Sequence, residues 1–344
     1  MIATLLLGAL AALFLMGFLA PFETFGWWAG WYGEKPGERE LPDPGERELP
    51  DPDEVPQTDA AQFVVYLTGI NGLNPEEYTD AEKVFLGKLQ ERLPDIHLVD
   101  DAYPYAASNR ALTGERVFSW FWRRLGDMRG RGALSLVTYL IHIRNIWQVL
   151  VSSDNRFGPL YNYATAQHIL VKLLEHGYPL GSSTPVTLIG YSGGGQISAG
   201  AAPLLEEAVG ASVHVISLGG VMSSNRNILD CDGLTHLYGS KDTVQRLGYL
   251  FFPQRWPFLR WTAWNQARRA GIIERILVGP MVHVGPGSYM DPDAVLDTGQ
   301  SYLDKTLEVV SEHIEKFRTK RGTGMSVKPV GVKKREEGSR VSVK

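Results

Sequence analysis

Between residues 62 and 316, short runs of β-branched and apolar residues alternate with longer stretches patterned as helices. No other feature narrows the fold as far. Residues 63–70 (FVVYLTGI), 97–105 (HLVDDAYPY), 186–191 (VTLIGY), 212–218 (SVHVISL), 234–240 (LTHLYGS) and 274–280 (ERILVGP) read as six strands. Residues 75–93, the end of the long stretch reaching Gly177 (161–176), 195–209 and 301–317 space their apolar residues as helices do. Strands that alternate with helices imply parallel crossovers, and a parallel sheet must be covered. The expected class is α/β, with a mostly parallel central sheet covered by helices on both faces.

The flanks differ from this middle. Residues 2–22, IATLLLGALAALFLMGFLAPF, carry no charge. At about 1.5 Å per residue, some twenty apolar residues span a bilayer core of about 30 Å. Phe22, Phe25, Trp27, Trp28, Trp31 and Tyr32 follow, rings that favour the membrane–water boundary. A cleaved signal peptide would open with Lys or Arg, and none precedes Lys35. Residues 1–32 are therefore expected to form a single-pass transmembrane anchor, which makes the lipid bilayer a partner. Residues 33–60 read as an acidic, Pro-rich linker in which GERELPDP occurs twice in tandem. Residues 61–317 form the folded domain, and 318–344 a basic disordered tail. Lys35, Arg39 and Arg47 trail the apolar span, so residues 33–344 are expected on the cytoplasmic side, with a signal anchor that leaves the folded domain outside as the alternative.

Composition excludes several function classes. A hydrophobic share of 44% supplies a sizeable core, and a net charge of −4 gives no reason to expect nucleic acid. Cys231 is the single cysteine, so there is no internal disulfide and no cysteine-based zinc site. No H-E-x-x-H occurs, and Gly193-Gly194-Gly195 lacks the Lys-Ser/Thr ending of a phosphate loop. Neither a metal nor a cofactor is expected.

In parallel sheets, sites lie beyond the carboxyl ends of strands. Three polar residues stand there in the order Ser192, Asp242, His283. Ser192 sits in GYSGGG, Asp242 in LYGSKDTV and His283 in GPMVHVGPGSY. A serine hydroxyl is a weak nucleophile at neutral pH and needs a base to take its proton, here His283. An acid, Asp242, would hold the imidazole tautomer and stabilise its charged form. The oxyanion that follows attack needs preorganised N–H donors, and the backbone of Gly193 offers one. Other candidates fit less well. His214 and His236 lie inside strands and read as core or face residues. His97, His142, His168, His176 and His313 lie on or beside helices and strand starts, away from any Gly-rich turn. Asp232 precedes its strand. Asp100 and Asp101 are out of place in an apolar strand, and either cap the next turn or line a rim.

With these residues in place, the chain resembles the α/β-hydrolase superfamily of serine esterase or lipase type. Gly190-Tyr191-Ser192-Gly193-Gly194 is similar to that family's Gly-x-Ser-x-Gly elbow, with acid and base following in the family's order. The resemblance covers roughly residues 62–317. It implies the α/β-hydrolase fold, catalytic Ser192, Asp242 and His283, and an oxyanion hole of Gly193 and Ile70, with Asn71 a neighbouring option. Asp291 and Asp293 follow His283 more closely than the resemblance implies for its acid. Well-known members carry His-Gly after the first of these strands; this chain has Thr68-Gly69-Ile70-Asn71-Gly72.

Two aromatic-rich segments suggest where a substrate would lie, VFSWFWRRL (117–125) and YLFFPQRWPFLRWTAW (249–264). They either line an acyl cleft or dock on a bilayer, or they close the core against extra helices. On the first reading Tyr191, Asn71, Trp256 and Phe258 contact substrate. The expected activity is hydrolysis of a carboxylic ester or thioester with an apolar acyl part. Acyl transfer and amide hydrolysis would use the same triad. A non-catalytic membrane interaction protein on this fold is the alternative of a different class.

Overall fold

The computed structural model describes residues 58–70, 78–105 and 134–322, with Gly8 and Ala11 as isolated positions. The expected anchor, almost all of the linker, most of the tail, Asn71 and the segment 117–125 lie outside the described residues. Among the described residues, no helix is long and apolar enough to cross a membrane.

Six strands form one sheet: β1 (Gln62–Leu67), β2 (Ile96–Val99), β3 (Val186–Tyr191), β4 (Val213–Leu218), β5 (Gly233–Gly239) and β6 (Ile273–Gly279). Their order is β2-β1-β3-β4-β5-β6, and every neighbouring pair is parallel. The helices are α1 (Asp80–Arg92), α2 (Leu134–Ser153), α3 (Gly158–Glu175), α4 (Gly193–Val209), α5 (Thr243–Phe251), α6 (Ala263–Arg269) and α7 (Tyr302–Gly322).

Both faces of the sheet are covered, which is why its strands read as continuous apolar runs. Phe63, Val65 and Leu67 of β1 pack with Ile169 and Leu173 of α3, Leu205 of α4 and Trp264 of α6. Val64 and Tyr66, pointing the other way, pack with Phe85 and Leu89 of α1 and with Leu303, Leu307 and Val310 of α7. The period-two alternation of the strand thus sorts one run of residues into two cores.

Several elements depart from their predicted bounds. β1 ends at Leu67 rather than at Ile70. β2 stops at Val99, because Asp101 turns out to meet the Lys172 ammonium at 2.8 Å and the His176 imidazole at 3.0 Å. A carboxylate cannot continue into a covered sheet without such partners, so the strand ends where the acids begin. α4 starts at Gly193, directly after Ser192, rather than at Gly195. α7 continues past Phe317 to Gly322.

The chain lays β2 on one side of β1 and then crosses to β3 on the other. The carboxyl ends of β1 and β3 therefore face a crevice at a topological switch point, where open α/β sheets take their ligands. Thr68-Gly69-Ile70 leaves β1 there, and Ser192 leaves β3 beside it.

Candidate active site

Ser192 has φ 53° and ψ −118°, the only positive φ of a non-glycine residue among the described residues. Such backbone costs about 1–3 kcal/mol and persists only where the surroundings enforce it. The enforcement is visible. The Ser192 N–H donates to Leu218 O at 2.9 Å, and Ser192 O accepts from Gly195 N at 3.1 Å. A Cβ at Gly190 would lie 2.5 Å from the Gly194 backbone, and one at Gly194 would lie 2.3 Å from Leu67 O. Only glycine lets α4 approach the ends of β1 and β3 this closely.

Ser192 occupies the N-cap of α4, yet its side chain makes no cap hydrogen bond. A serine there ordinarily accepts from the first-turn N–H groups. Here the hydroxyl lies 2.7 Å from His283 Nε2. His283 Nδ1 lies 2.9 Å from Asp242 Oδ2. An ionised carboxylate only accepts, so Nδ1 carries the proton and Nε2 is left to accept from Ser192 Oγ–H. All three residues are buried, with Asp242 fully so.

The Asp242 carboxyl is held below its ordinary value. Burial pushes it up, but hydrogen bonding from His283, the charge of that imidazole, the Tyr289 hydroxyl and the Gln245 N–H together outweigh burial. Tyr289 OH donates to Asp242 Oδ2 at 2.6 Å, and Gln245 N donates to Oδ1 at 2.9 Å. The Tyr289 oxygen also accepts from Gly239 N at 2.8 Å. Burial and the neighbouring carboxylate drive the Tyr289 phenol far above its usual value, so it stays a donor. A register shift between Tyr238 and Gly239 precedes the last pair of the β5–β6 ladder, Gly239 with Gly279, three residues before Asp242.

Tyr191 does not reach into the crevice. Its ring stacks on the His283 ring at 5.6 Å between centroids, and its hydroxyl donates to His283 O. It supports the histidine turn from beneath. Ile70 lies across the crevice: a Cβ at Gly193 would come within 3.1 Å of Ile70 Cγ2. The Ile70 carbonyl accepts from Asn145 Nδ2 at 2.9 Å, and Arg144 binds both Asn145 Oδ1 and Tyr105 O. The Tyr105 hydroxyl donates to Thr68 O at 2.9 Å. The segment 68–70 is thereby fixed from α2 and from the loop after β2. Gly193 opens α4, where first-turn N–H groups have no helical acceptor.

Trp256 and Phe258 are exposed, their rings 5.6 Å apart, and Trp256 Nε1 donates to Tyr249 O. Three further histidines are buried. His168 Nε2 accepts from Tyr103 N, His214 stacks on Phe317, and His236 is buried against Ser217 and Trp264. Asp291 accepts from the N–H groups of Gly287, Asp293 and Ala294, and so ties its own loop. No group of three or more His, Cys, Asp or Glu among the described residues has the geometry to hold a metal ion.

Sequence reasoning missed Tyr289, Asn145 and Arg144. Tyr289 stands in the quoted GPGSY, but a hydroxyl aimed 47 positions back at Asp242 leaves no local pattern. Comparison with family models, with curated proteins and with solved structures gives no match to this chain.

Proposed function

We propose that the protein is a membrane-anchored serine hydrolase of the α/β-hydrolase type, cleaving a carboxylic ester or thioester with an apolar acyl part. The observation that carries this reading is the unbroken relay Ser192 Oγ–His283 Nε2 (2.7 Å) and His283 Nδ1–Asp242 Oδ2 (2.9 Å) on a strained strand-to-helix turn. Ser192 attacks the acyl carbon as His283 takes its proton. The tetrahedral oxyanion is met by the N–H of Gly193 and, on this reading, by that of Ile70. Collapse expels the alcohol or thiol, which receives the proton from His283, and leaves an acyl-Ser192 ester. Water then attacks with His283 as base, releasing the acid and restoring the serine. Asp242 stays ionised throughout and balances the imidazolium. The apolar acyl group is inferred from the Ile70 and Val149 side chains that border Gly193, beside the Tyr105 hydroxyl.

The test is a fluorophosphonate probe, which phosphonylates an activated serine. The full chain should label, and Ser192→Ala should abolish labelling. A folded wild-type chain that never labels would overturn the reading.

A further inference from the structure

α5 is built inside out. Its buried residues are Gln245 and Gly248, whereas Leu247, Leu250 and Phe251, spaced i, i+3, i+4, face solvent. A surface helix ordinarily turns that stripe toward the core. Leu250 is 70% exposed, and in the chain that follows Phe258 is 66% and Trp261 71% exposed. Scattered surface apolar residues need no explanation, but a contiguous apolar face does.

The face is held rigid from below. Arg255 is fully buried, its guanidinium between the Tyr249 ring at 4.5 Å and the Trp264 ring at 4.1 Å. Its Nη1 donates to Met222 O at 2.9 Å. A Cβ at Gly248 would come within 2.2 Å of that nitrogen, so α5 lies directly on the arginine. The exposed rings are thus presented by a packed scaffold.

Charge identifies the occupant. No Asp or Glu stands between Asp242 and Glu274, whereas Arg246, Arg260, Arg268 and Arg269 are exposed there. The whole chain carries a net charge of −4, so this cationic rim is local. Arginines around protruding Trp, Phe and Leu suit a headgroup layer, with guanidinium on phosphate and rings among the upper acyl chains. A second copy would bring one arginine rim against another.

We infer that the outer face of α5 together with residues 256–261 docks on an anionic lipid surface. α5 begins immediately after Asp242, so docking brings this flank of the crevice to the lipid. The inference stands on the surface itself and holds whether or not Ser192 reacts.

The experiment uses the full chain carrying Trp261→Cys, labelled with an environment-sensitive fluorophore; Cys231 is buried and stays unlabelled. The chain is reconstituted in phosphatidylcholine vesicles with or without phosphatidylserine. In anionic vesicles the emission should shift to the blue, iodide quenching should drop several-fold, and lipid-borne nitroxides should quench. High salt, or Arg260→Gln with Arg268→Gln and Arg269→Gln, should reverse all three. A reference label at Glu312→Cys on α7 should stay open to iodide. Equal iodide access at both labels in every vesicle overturns the inference. So does a label at position 261 that is shielded from iodide yet beyond reach of the nitroxides, which would assign the face to protein. Fluorophosphonate labelling of the same samples separates a failure of docking from a failure of Ser192 chemistry.

Discussion

Ser192 does two incompatible things. It sits where a helix wants a capping hydroxyl, and it gives that hydroxyl to His283 at the cost of a left-handed backbone. Two predictions follow from separating these roles. Ser192→Gly removes the nucleophile and also the Cβ that makes φ 53° costly. It should abolish turnover yet raise stability by about 1 kcal/mol, which for a domain of this size is about 2–4 °C in thermal midpoint. Calorimetry of the variant beside wild type checks this, and a lower midpoint would contradict it. Asp242→Asn and His283→Ala should each cut turnover by about 10³-fold or more. The double variant should be little worse than either, because the three groups act as a unit. Tyr289→Phe removes a hydrogen bond to the carboxylate and strands the buried Gly239 N–H. Stability should fall by about 1–3 kcal/mol in urea titration, and the Asp242 carboxyl should move upward. Because that carboxyl is depressed in the fold, its ionisation stabilises above the ordinary aspartate value, and the gain is lost as pH falls. With Tyr289→Phe this loss should still begin at the ordinary aspartate value, but be smaller and complete at higher pH. The grouping of Ser192, His283 and Asp242 was legible because each sits just beyond a strand that periodicity reveals. Tyr289 was not, because its role depends on a contact that only the folded turn creates.

Elements here are joined by side chains that serve two masters. Glu82 closes a capping box with Thr79 at the start of α1. Its other carboxylate oxygen accepts from Tyr66 OH at 2.9 Å and Thr68 Oγ1 at 2.6 Å. One carboxylate thus fastens the helix to the end of β1, where the chain turns into Gly69-Ile70. Glu82→Ala would free the cap and leave two buried hydroxyls unpaired, costing about 3 kcal/mol in denaturant unfolding. A near-neutral result would show that α1 is held by its apolar face alone. Pro203 inside α4 has no N–H for Ala199 O, and the Cys231 thiol approaches that carbonyl at 3.7 Å. The six strands and the helices α1, α3, α4 and α7 were plain in the pattern, but α5 and α6 were not, and neither was the end of β2, since Ala102-Tyr103-Pro104-Tyr105 resumes an apolar run after the two acids. What stops the strand is the cluster of Asp101, Lys172 and His176, drawn from a helix some seventy residues on. His176 is raised above the usual histidine value, chiefly by its hydrogen bond to Asp101, and Asp101 is depressed by His176 and Lys172 against the opposing effect of burial. The Asp101 contribution is therefore present above the ordinary aspartate value and lost on acidification. The His176 contribution is present below the ordinary histidine value and lost as pH rises. Their overlap lies between about pH 4 and pH 6.5. Asp101→Asn should destabilise most in that window, by under about 1 kcal/mol because the groups are a third exposed. A difference that is flat with pH would remove the histidine from the cluster.

At the scale of the whole chain, the sheet order puts the crevice at one edge of a polarised molecule. β1 and β3 part at the switch point, Ser192 and the segment 68–70 face each other there, and the arginine-rimmed apolar face begins one residue past Asp242. Alternating strands and helices made the parallel sheet legible, but not the inverted amphipathicity of α5, because exposed and buried stripes look alike until the core is known. Sidedness belongs to this scale as well. The uncharged residues 2–22 are followed by Lys35, Arg39 and Arg47, while no Lys or Arg stands among residues 1–34. Loop cations near a span remain in the cytoplasm, and neighbouring acids offset them little, so the many Asp and Glu of residues 33–60 do not reverse the bias. The arginine-rimmed face needs the same side, since the cytoplasmic leaflet is the anionic one. If residues 2–22 span a membrane as proposed, both considerations predict residues 33–344 on the cytoplasmic side. With a C-terminal tag on the full chain, protease added to intact cells should leave the tag whole, and permeabilisation should expose it. Digestion of the tag in unbroken cells would reverse the topology and remove the anionic leaflet from reach of α5. It would leave the Ser192–His283–Asp242 geometry unaffected, so that the fluorophosphonate result would still decide the chemistry.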